Sequence, residues 1–130
     1  MIQLTENQQQ KITVLAFEDN YDIEAMLRSS GVDMSAVEVI QMWNSHDSTA
    51  QIREHNPDIL ALDFFMPPKT GLQVLQELND EVAKGTLKRP MTILAMSSEA
   101  SANARMMQEG ADLSSIKFDI SNLEIWPRSA

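Results

Sequence analysis

The chain has 130 residues, and its 10 basic and 19 acidic side chains give a formal net charge of −9. This length is typical of a single domain, and the acidic excess excludes a general nucleic-acid binder, which needs a basic surface to follow phosphates. There are no cysteines, which excludes disulfides and thiolate metal sites and fits a reducing compartment. No apolar run approaches the ~20 residues that cross a membrane, and the first residues do not have the layout of a signal peptide. We therefore expect a cytoplasmic protein.

The order of apolar and polar segments predicts the fold class. The first ten residues are polar, and we expect a flexible tail over 1–10 ahead of one domain over 11–130. Strands are predicted over 12–17, 38–43, 59–62, 91–96 and, more weakly, 113–116. Helices are predicted between them over 22–28, 47–55, 72–83 and 99–109. Near-continuous apolar strands are typical of parallel sheets buried on both faces. The alternation therefore predicts a doubly wound α/β fold with right-handed crossovers.

The third helix has the clearest pattern of the four. Its leucines recur at helical spacing, and Thr70 stands three residues before Gln73. This spacing predicts a capping box, in which each side chain binds the backbone N–H of the other residue.

Polar residues follow four of the predicted strands. Glu18 and Asp19 follow the first strand, Asp63 the third, Ser97 the fourth and Lys117 the fifth. Ligands of doubly wound folds bind at the carboxyl ends of the strands, so we expect these side chains to lie together. Three carboxylates at one edge repel one another unless a cation lies between them, and oxygen ligands without nearby His or Cys favour Mg²⁺. A carboxylate beside Mg²⁺ and a lysine can also act as a nucleophile toward a phosphoryl group.

Three segments carry a resemblance to a known family. Residues 14–20 contain the first strand and the acidic pair, residues 57–71 contain Asp63 and the Met66-Pro67 pair, and Gly110-Ala111-Asp112 precedes Lys117 by a short interval. This pattern, from about residue 11 to 117, resembles the receiver (CheY-like) domain of response regulators in two-component signalling. The resemblance implies a five-stranded parallel sheet of the flavodoxin-like strand order 2-1-3-4-5, with helices on both faces.

The resemblance also implies roles for individual residues. Asp63 would be the phosphoacceptor, and Lys117 would pair with the phosphoryl group. Glu18, Asp19, Asp63 and the backbone carbonyl of Phe65 would hold Mg²⁺. The phosphoryl donor would be a histidine kinase or a phosphotransfer protein, and the chain would not be an enzyme with a separate substrate. Because no output domain fits into 130 residues, we expect signalling by contact with a downstream protein.

The position of the switch hydroxyl depends on the alignment of the fourth helix. Counting back from Gly110 without a gap places Ala95 where the family has Thr or Ser, whereas a two-residue deletion places Ser97 there. We favour Ser97, because it follows the end of the apolar run and precedes the small Ser98. If Ala95 is the equivalent residue, the hydroxyl switch is missing.

The C-terminal end departs from the family pattern. Phe118 stands where the family usually has Pro, and Ser114 stands where it has an aromatic residue. Only 13 residues follow Lys117, so we expect the last helix to be short or absent. The sheet surface left open would be covered by a partner, by a second copy of the chain, or by the apolar residues Phe118, Ile120, Leu123, Ile125 and Trp126.

Two other functions compete with the phosphoacceptor. The departures favour a pseudo-receiver that acts without phosphorylation as a docking or dimerisation module, whereas the intact set of acids and lysine opposes it. A magnesium-dependent phosphatase of the haloacid dehalogenase type would need a second Asp two residues after the nucleophile, where Phe65 stands.

Overall fold

A single parallel sheet organises the molecule. The computed structural model describes residues 11–128, so the predicted tail at residues 1–10 lies outside the described residues. The sheet has five strands in the order 2-1-3-4-5, which confirms the predicted fold. The strands are β1 (Ile12–Phe17), β2 (Val37–Met42), β3 (Ile59–Leu62), β4 (Thr92–Ala95) and β5 (Leu113–Ser114).

Four α-helices connect the strands, and each end lies within two residues of its predicted position. They are α1 (Ile23–Ser29), α2 (Ser48–His55), α3 (Gly71–Ala83) and α4 (Ala100–Gln108). In the described part of the chain, two 3₁₀ helices, Met34–Ala36 and Lys117–Asn122, accompany them. None of the helices in the described part of the chain is long and apolar enough to span a membrane.

The strands divide the core into two layers, because successive side chains of a strand point to opposite faces. Leu15 and Phe17 of β1 pack in the layer that contains α2, α3 and α4. Val14 and Ala16 pack in the other layer, against α1 and the C-terminal segment. β3 is buried along its whole length, as the sequence predicts for a central parallel strand.

The capping box at the start of α3 is present. The Gln73 N–H donates to Thr70 Oγ1 at 3.1 Å, and the Thr70 N–H donates to Gln73 Oε1 at 2.8 Å. The helix thus begins at Gly71, whose backbone lies against β3. A Cβ atom on Gly71 would lie 2.2 Å from the carbonyl oxygen of Asp63, so only glycine allows α3 to approach the end of β3 this closely.

The C-terminal segment takes the place of a last α-helix. Ile120 and Trp126 are 0% and 4% exposed and pack in the same layer as α1. The Trp126 indole N–H donates to the Ile120 carbonyl at 2.7 Å, and the Asp33 N–H donates to the Pro127 carbonyl at 2.9 Å. Of the three covers considered from the sequence, the chain's own segment therefore covers this face of the sheet. The expectation that Phe118 belongs to this cover is wrong, because its side chain is 56% exposed.

Candidate functional site

The ends of three neighbouring strands coincide at one edge of the sheet. Leu62 of β3 is in register with Phe17 of β1 and with Ala95 of β4. The backbone ladder continues one step further, because the Asp63 N–H donates to the Phe17 carbonyl at 3.1 Å. The residues that follow these strands are therefore brought to one place.

Three carboxylates meet at this edge, as the sequence predicts. Glu18, Asp19 and Asp63 each offer an oxygen, and these oxygens lie within 4.8 Å of one another. Glu18 is 0% and Asp63 3% exposed. Among the described residues, Asp19 Oδ1 and Asp63 Oδ1 are buried without a hydrogen-bond partner. Buried carboxylate oxygens without partners are costly, and a hard divalent cation such as Mg²⁺ fits this all-oxygen group.

Lys117 lies at the same place and is itself buried. Its Nζ lies 2.8 Å from Glu18 Oε1 and 3.1 Å from Asp63 Oδ2. One ammonium group therefore contacts two carboxylates, and the three acids exceed the charge that Lys117 can neutralise. The remaining negative charge also favours a cation at this site.

Burial and the neighbouring charges together shift the pKa values of Asp63 and Lys117. Loss of solvation raises the pKa of Asp63, and the charge of Glu18 raises it further. The Lys117 ammonium and the backbone N–H of Phe65 lower it, but the net shift is upward. Burial by itself lowers the pKa of Lys117, but hydrogen bonds to Glu18 and Asp63 and their charges outweigh it and raise the pKa.

Sequence reasoning missed the residue that shapes the loop between β1 and α1. The Gln41 amide group of β2 donates to the carbonyls of Glu18 and Tyr21 at 2.9 and 2.7 Å, and its oxygen accepts from the Ile23 N–H at 2.9 Å. Glu18 Oε2 accepts from the Asn20 and Tyr21 N–H groups. One oxygen of Glu18 therefore fixes the loop, while the other faces Lys117. In the sequence, the only sign of this role is that Gln41 is a polar residue near the end of a strand.

The loop after β3 carries Phe65, the predicted backbone ligand. The carbonyl of Phe64 accepts from the Met66 and Gly71 N–H groups at 3.1 and 2.9 Å, so the loop folds back onto the start of α3. The Phe65 side chain is 53% exposed. The role of its carbonyl remains a prediction.

A second side chain that sequence reasoning missed, Ser45, fastens this loop to the one after β2. Ser45 is fully buried. Its hydroxyl donates to the Lys69 carbonyl at 2.7 Å and accepts from the Lys69 N–H at 2.8 Å. The Ser45 N–H donates to the Pro67 carbonyl at 2.9 Å. Ser45 therefore holds the loop that follows the phosphoacceptor candidate at two points, Pro67 and Lys69.

The two candidates for the switch position lie in different surroundings. Ala95 is the last residue of β4, in register with Leu62, and its side chain belongs to the core layer of α2 to α4. Ser97 is buried just beyond the strand, as Asp63 is beyond β3. The Ser97 hydroxyl oxygen accepts from the Glu99 N–H at 3.2 Å. Ala95 thus lies within the strand and Ser97 beyond its end, and the assignment of Ser97 as the switch residue stays a prediction.

Asn103 of α4 is the third residue that the sequence did not reveal. It is 5% exposed, and its side-chain amide binds both the N–H and the carbonyl of Ser97. Its Oδ1 accepts from the Ser97 N–H at 2.8 Å, and its Nδ2 donates to the carbonyls of Ser97 and Ser115 at 3.0 and 3.1 Å. A polar residue on the buried face of a helix was the only signal.

Comparison with known proteins finds similar sequences. No protein-family model matches the chain. The chain is similar to the phosphate regulon transcriptional regulatory protein PhoB of Pseudomonas aeruginosa, with 26% identity over 101 residues, which are 77% of this chain and 42% of that protein. It is 30% identical over 69 residues, 53% of the chain, to the polar-differentiation response regulator DivK of Brucella anthropi, and covers 55% of DivK. The chain thus spans about half the length, or less, of these curated relatives.

Solved structures show the same fold. The response regulator domain of Thermotoga maritima CheB has a TM-score of 0.64 and 20% identity, with 83% of this chain and 79% of that chain covered. The phosphorylated cyanobacterial phytochrome response regulator RcpA has a TM-score of 0.67 and 19% identity, with 85% and 89% covered. At these identities the structural likeness concerns the fold. The chain thus has the fold of CheY-like receiver domains, and its sequence is similar to those of PhoB and DivK.

Proposed function

We propose that this receiver domain accepts a phosphoryl group on Asp63 from a histidine kinase or a phosphotransfer protein, in the cytoplasm. The observation that supports this proposal is the surroundings of the Asp63 carboxylate. One oxygen lies 3.1 Å from the Lys117 ammonium, and the other is buried without a hydrogen-bond partner among the described residues. In the transfer, an oxygen of Asp63 bonds to phosphorus while the bond from phosphorus to the donor's histidine nitrogen breaks.

The metal set follows from the same group of acids. Glu18, Asp19, Asp63 and the backbone carbonyl of Phe65 would hold Mg²⁺. When bound, Mg²⁺ neutralises the carboxylates and the oxygens of the phosphoryl group. The buried oxygens of Asp19 and Asp63 that have no partner support this assignment.

Lys117 and Ser97 act on the phosphoryl group itself. The Lys117 ammonium is held beside Asp63 by Glu18 and can pair with a phosphoryl oxygen. The Ser97 hydroxyl accepts a hydrogen bond at its oxygen, so its own proton remains available to a phosphoryl oxygen. A shift of Ser97 toward that oxygen would alter the β4–α4 loop and the surface that a downstream protein contacts.

The test is phosphorylation by acetyl phosphate with Mg²⁺, followed by intact-mass measurement. We expect a single base-labile adduct on the wild type, its loss when Mg²⁺ is chelated, and its absence in Asp63→Asn. Asp80→Asn is the matched control, because Asp80 is exposed on α3, and this variant should be labelled like the wild type. An unlabelled wild type would contradict the function, and a labelled Asp63→Asn would contradict the site. Continuous release of phosphate over many turnovers would instead indicate an enzyme.

A phosphorylation-independent docking or dimerisation module is the second candidate. The observation that favours it is the ion-pair arrangement, in which Lys117 bridges Glu18 and Asp63 and already neutralises part of the acidic group. Sedimentation analysis of the unphosphorylated chain tests dimerisation. A monomer at high protein concentration would contradict the dimerisation role.

A further inference from the structure

Two exposed aromatic side chains contact each other beside the acidic group. Tyr21 comes from the loop after β1 and Phe118 from the C-terminal 3₁₀ helix. Their ring centroids lie 5.0 Å apart, and the ring planes make an angle of 87°. This edge-to-face geometry is favourable for aromatic pairs. Both rings remain accessible, since Tyr21 is 45% and Phe118 56% exposed.

Lys117 lies beside the Tyr21 ring of this pair and is shielded from water. Its Nζ lies 5.3 Å from the centroid of the Tyr21 ring, which is within the range of cation–π attraction. The side chain of Lys117 is 7% exposed, although its neighbour Phe118 is mostly accessible. The Tyr21 ring, Glu18 and Asp63 therefore all lie around the Lys117 ammonium.

The backbone holds Tyr21 in this place independently of its ring. The Tyr21 N–H donates to Glu18 Oε2 at 3.1 Å, and its carbonyl accepts from Gln41 at 2.7 Å. Phe118 follows Lys117 directly in the 3₁₀ helix. Because neither ring belongs to the core layers, removing a ring changes the cover without removing these anchors.

We propose that Tyr21 and Phe118 form an aromatic cover over Lys117 that limits the access of water to the phosphoryl group on Asp63. This inference rests on the proposed function. In the hydrolysis that the cover slows, a water oxygen bonds to phosphorus and the bond from phosphorus to the Asp63 oxygen breaks. The products are the Asp63 carboxylate and inorganic phosphate, which takes the proton of the water. The two rings thus set the lifetime of the phosphorylated state.

The first test does not depend on phosphorylation. The rate at which a water-soluble acylating reagent modifies Lys117 is followed by peptide mass spectrometry in the full chain. We expect Tyr21→Ala and Phe118→Ala to raise this rate about 3- to 20-fold, from the loss of cation–π contact and cover. Tyr21→Phe keeps the ring and should keep the wild-type rate. The exposed Lys84 and Lys88 serve as internal references.

Trp43→Ala is the control for loss of an exposed aromatic residue elsewhere, since Trp43 is 50% exposed, and it should leave Lys117 modification unchanged. Wild-type rates in both Tyr21→Ala and Phe118→Ala would overturn the cover. The Lys117 modification rates test the cover even if the wild type takes no phosphoryl group. In that case only the proposed function is contradicted.

The second test measures the lifetime after phosphorylation by acetyl phosphate and removal of the donor. We expect the half-life of the adduct to fall by a similar factor in Tyr21→Ala and Phe118→Ala, and to stay unchanged in Tyr21→Phe. Faster modification of Lys117 with an unchanged half-life would overturn the link between the cover and hydrolysis.

Discussion

Asp63 is the residue at which the stability and the proposed function of the domain conflict. Burial removes water from its carboxylate, and Lys117 must also neutralise Glu18. A charge that is buried and only partly paired costs free energy. The upward shift of its pKa expresses this cost, because the folded chain holds the Asp63 proton more tightly than the unfolded chain does.

We expect Asp63→Asn to stabilise the domain without Mg²⁺, by about 1–2 kcal/mol at pH 7, since the variant removes a disfavoured charge and leaves Lys117 paired with Glu18. Urea unfolding in a buffer with a chelator measures the difference. The wild type recovers the missing stability as the pH falls through the raised pKa of Asp63 toward its unfolded value. The difference in the free energy of unfolding between Asp63→Asn and the wild type should therefore disappear at acidic pH.

Addition of Mg²⁺ is the control for this prediction. Mg²⁺ that binds the folded chain stabilises it by mass action. The urea concentration at the midpoint of unfolding should therefore rise for the wild type, and it should rise less for Asp63→Asn. If Asp63→Asn is less stable than the wild type in the buffer with chelator, the conclusion that the buried Asp63 charge destabilises the domain is contradicted.

At the scale of elements, side chains from neighbouring segments hold the loops of the site. Asn103 of α4 fixes the loop after β4 and links it to the segment after β5. Ser45 performs the same role for the loop after β3. Loops held in this way present Ser97 and Asp63 in a defined position although neither lies within a strand.

We expect Asn103→Ala to destabilise the domain by about 2–4 kcal/mol, because two buried backbone groups of Ser97 and the partly buried Ser115 carbonyl lose their partner. Asn79→Ala is the matched control, since Asn79 makes one hydrogen bond, to the Glu109 carbonyl, and should cost about 1 kcal/mol. Urea unfolding gives both values, and hydrogen exchange should show faster exchange of the Ser97 amide in Asn103→Ala. Equal costs for the two variants would contradict the role of Asn103 in holding the loop.

At the scale of the whole molecule, a short C-terminal segment performs the packing task of a helix. A 3₁₀ helix and an extended stretch bring Ile120 and Trp126 onto the sheet. Arg128 donates to the Ser30 carbonyl at 3.0 Å, and the Asp33 N–H binds the Pro127 carbonyl, so the segment is attached to the end of α1. The same segment begins at Lys117, which joins the acidic site to this face of the core.

We expect Trp126→Ala to destabilise the domain by about 3–5 kcal/mol, because it removes a large buried side chain and opens a cavity. Trp43→Ala removes the same side chain from an exposed position and should change the free energy of unfolding by less than about 0.5 kcal/mol. Denaturant unfolding of both variants measures the contrast. A small effect of Trp126→Ala would show that the segment does not stabilise the sheet.

The sequence by itself predicts the strands, the helices and the edge at which the acids meet. Apolar runs such as 12–17 and 59–62 end directly at carboxylates, and parallel strands place their carboxyl ends together. The capping box at Thr70 is likewise a local pattern that needs no tertiary information. These features depend on neighbours in the chain, so spacing and residue type suffice to find them.

Only the tertiary structure decides which distant groups share a hydrogen bond or a surface. The roles of Gln41, Ser45 and Asn103 depend on backbone groups far away or on another element, which no local pattern specifies. The cover of the sheet by Trp126 depends on the path of an irregular segment, and the exposure of Phe118 depends on the same path. Packing of side chains from separate elements fixes these contacts, and it exists only once the chain has folded.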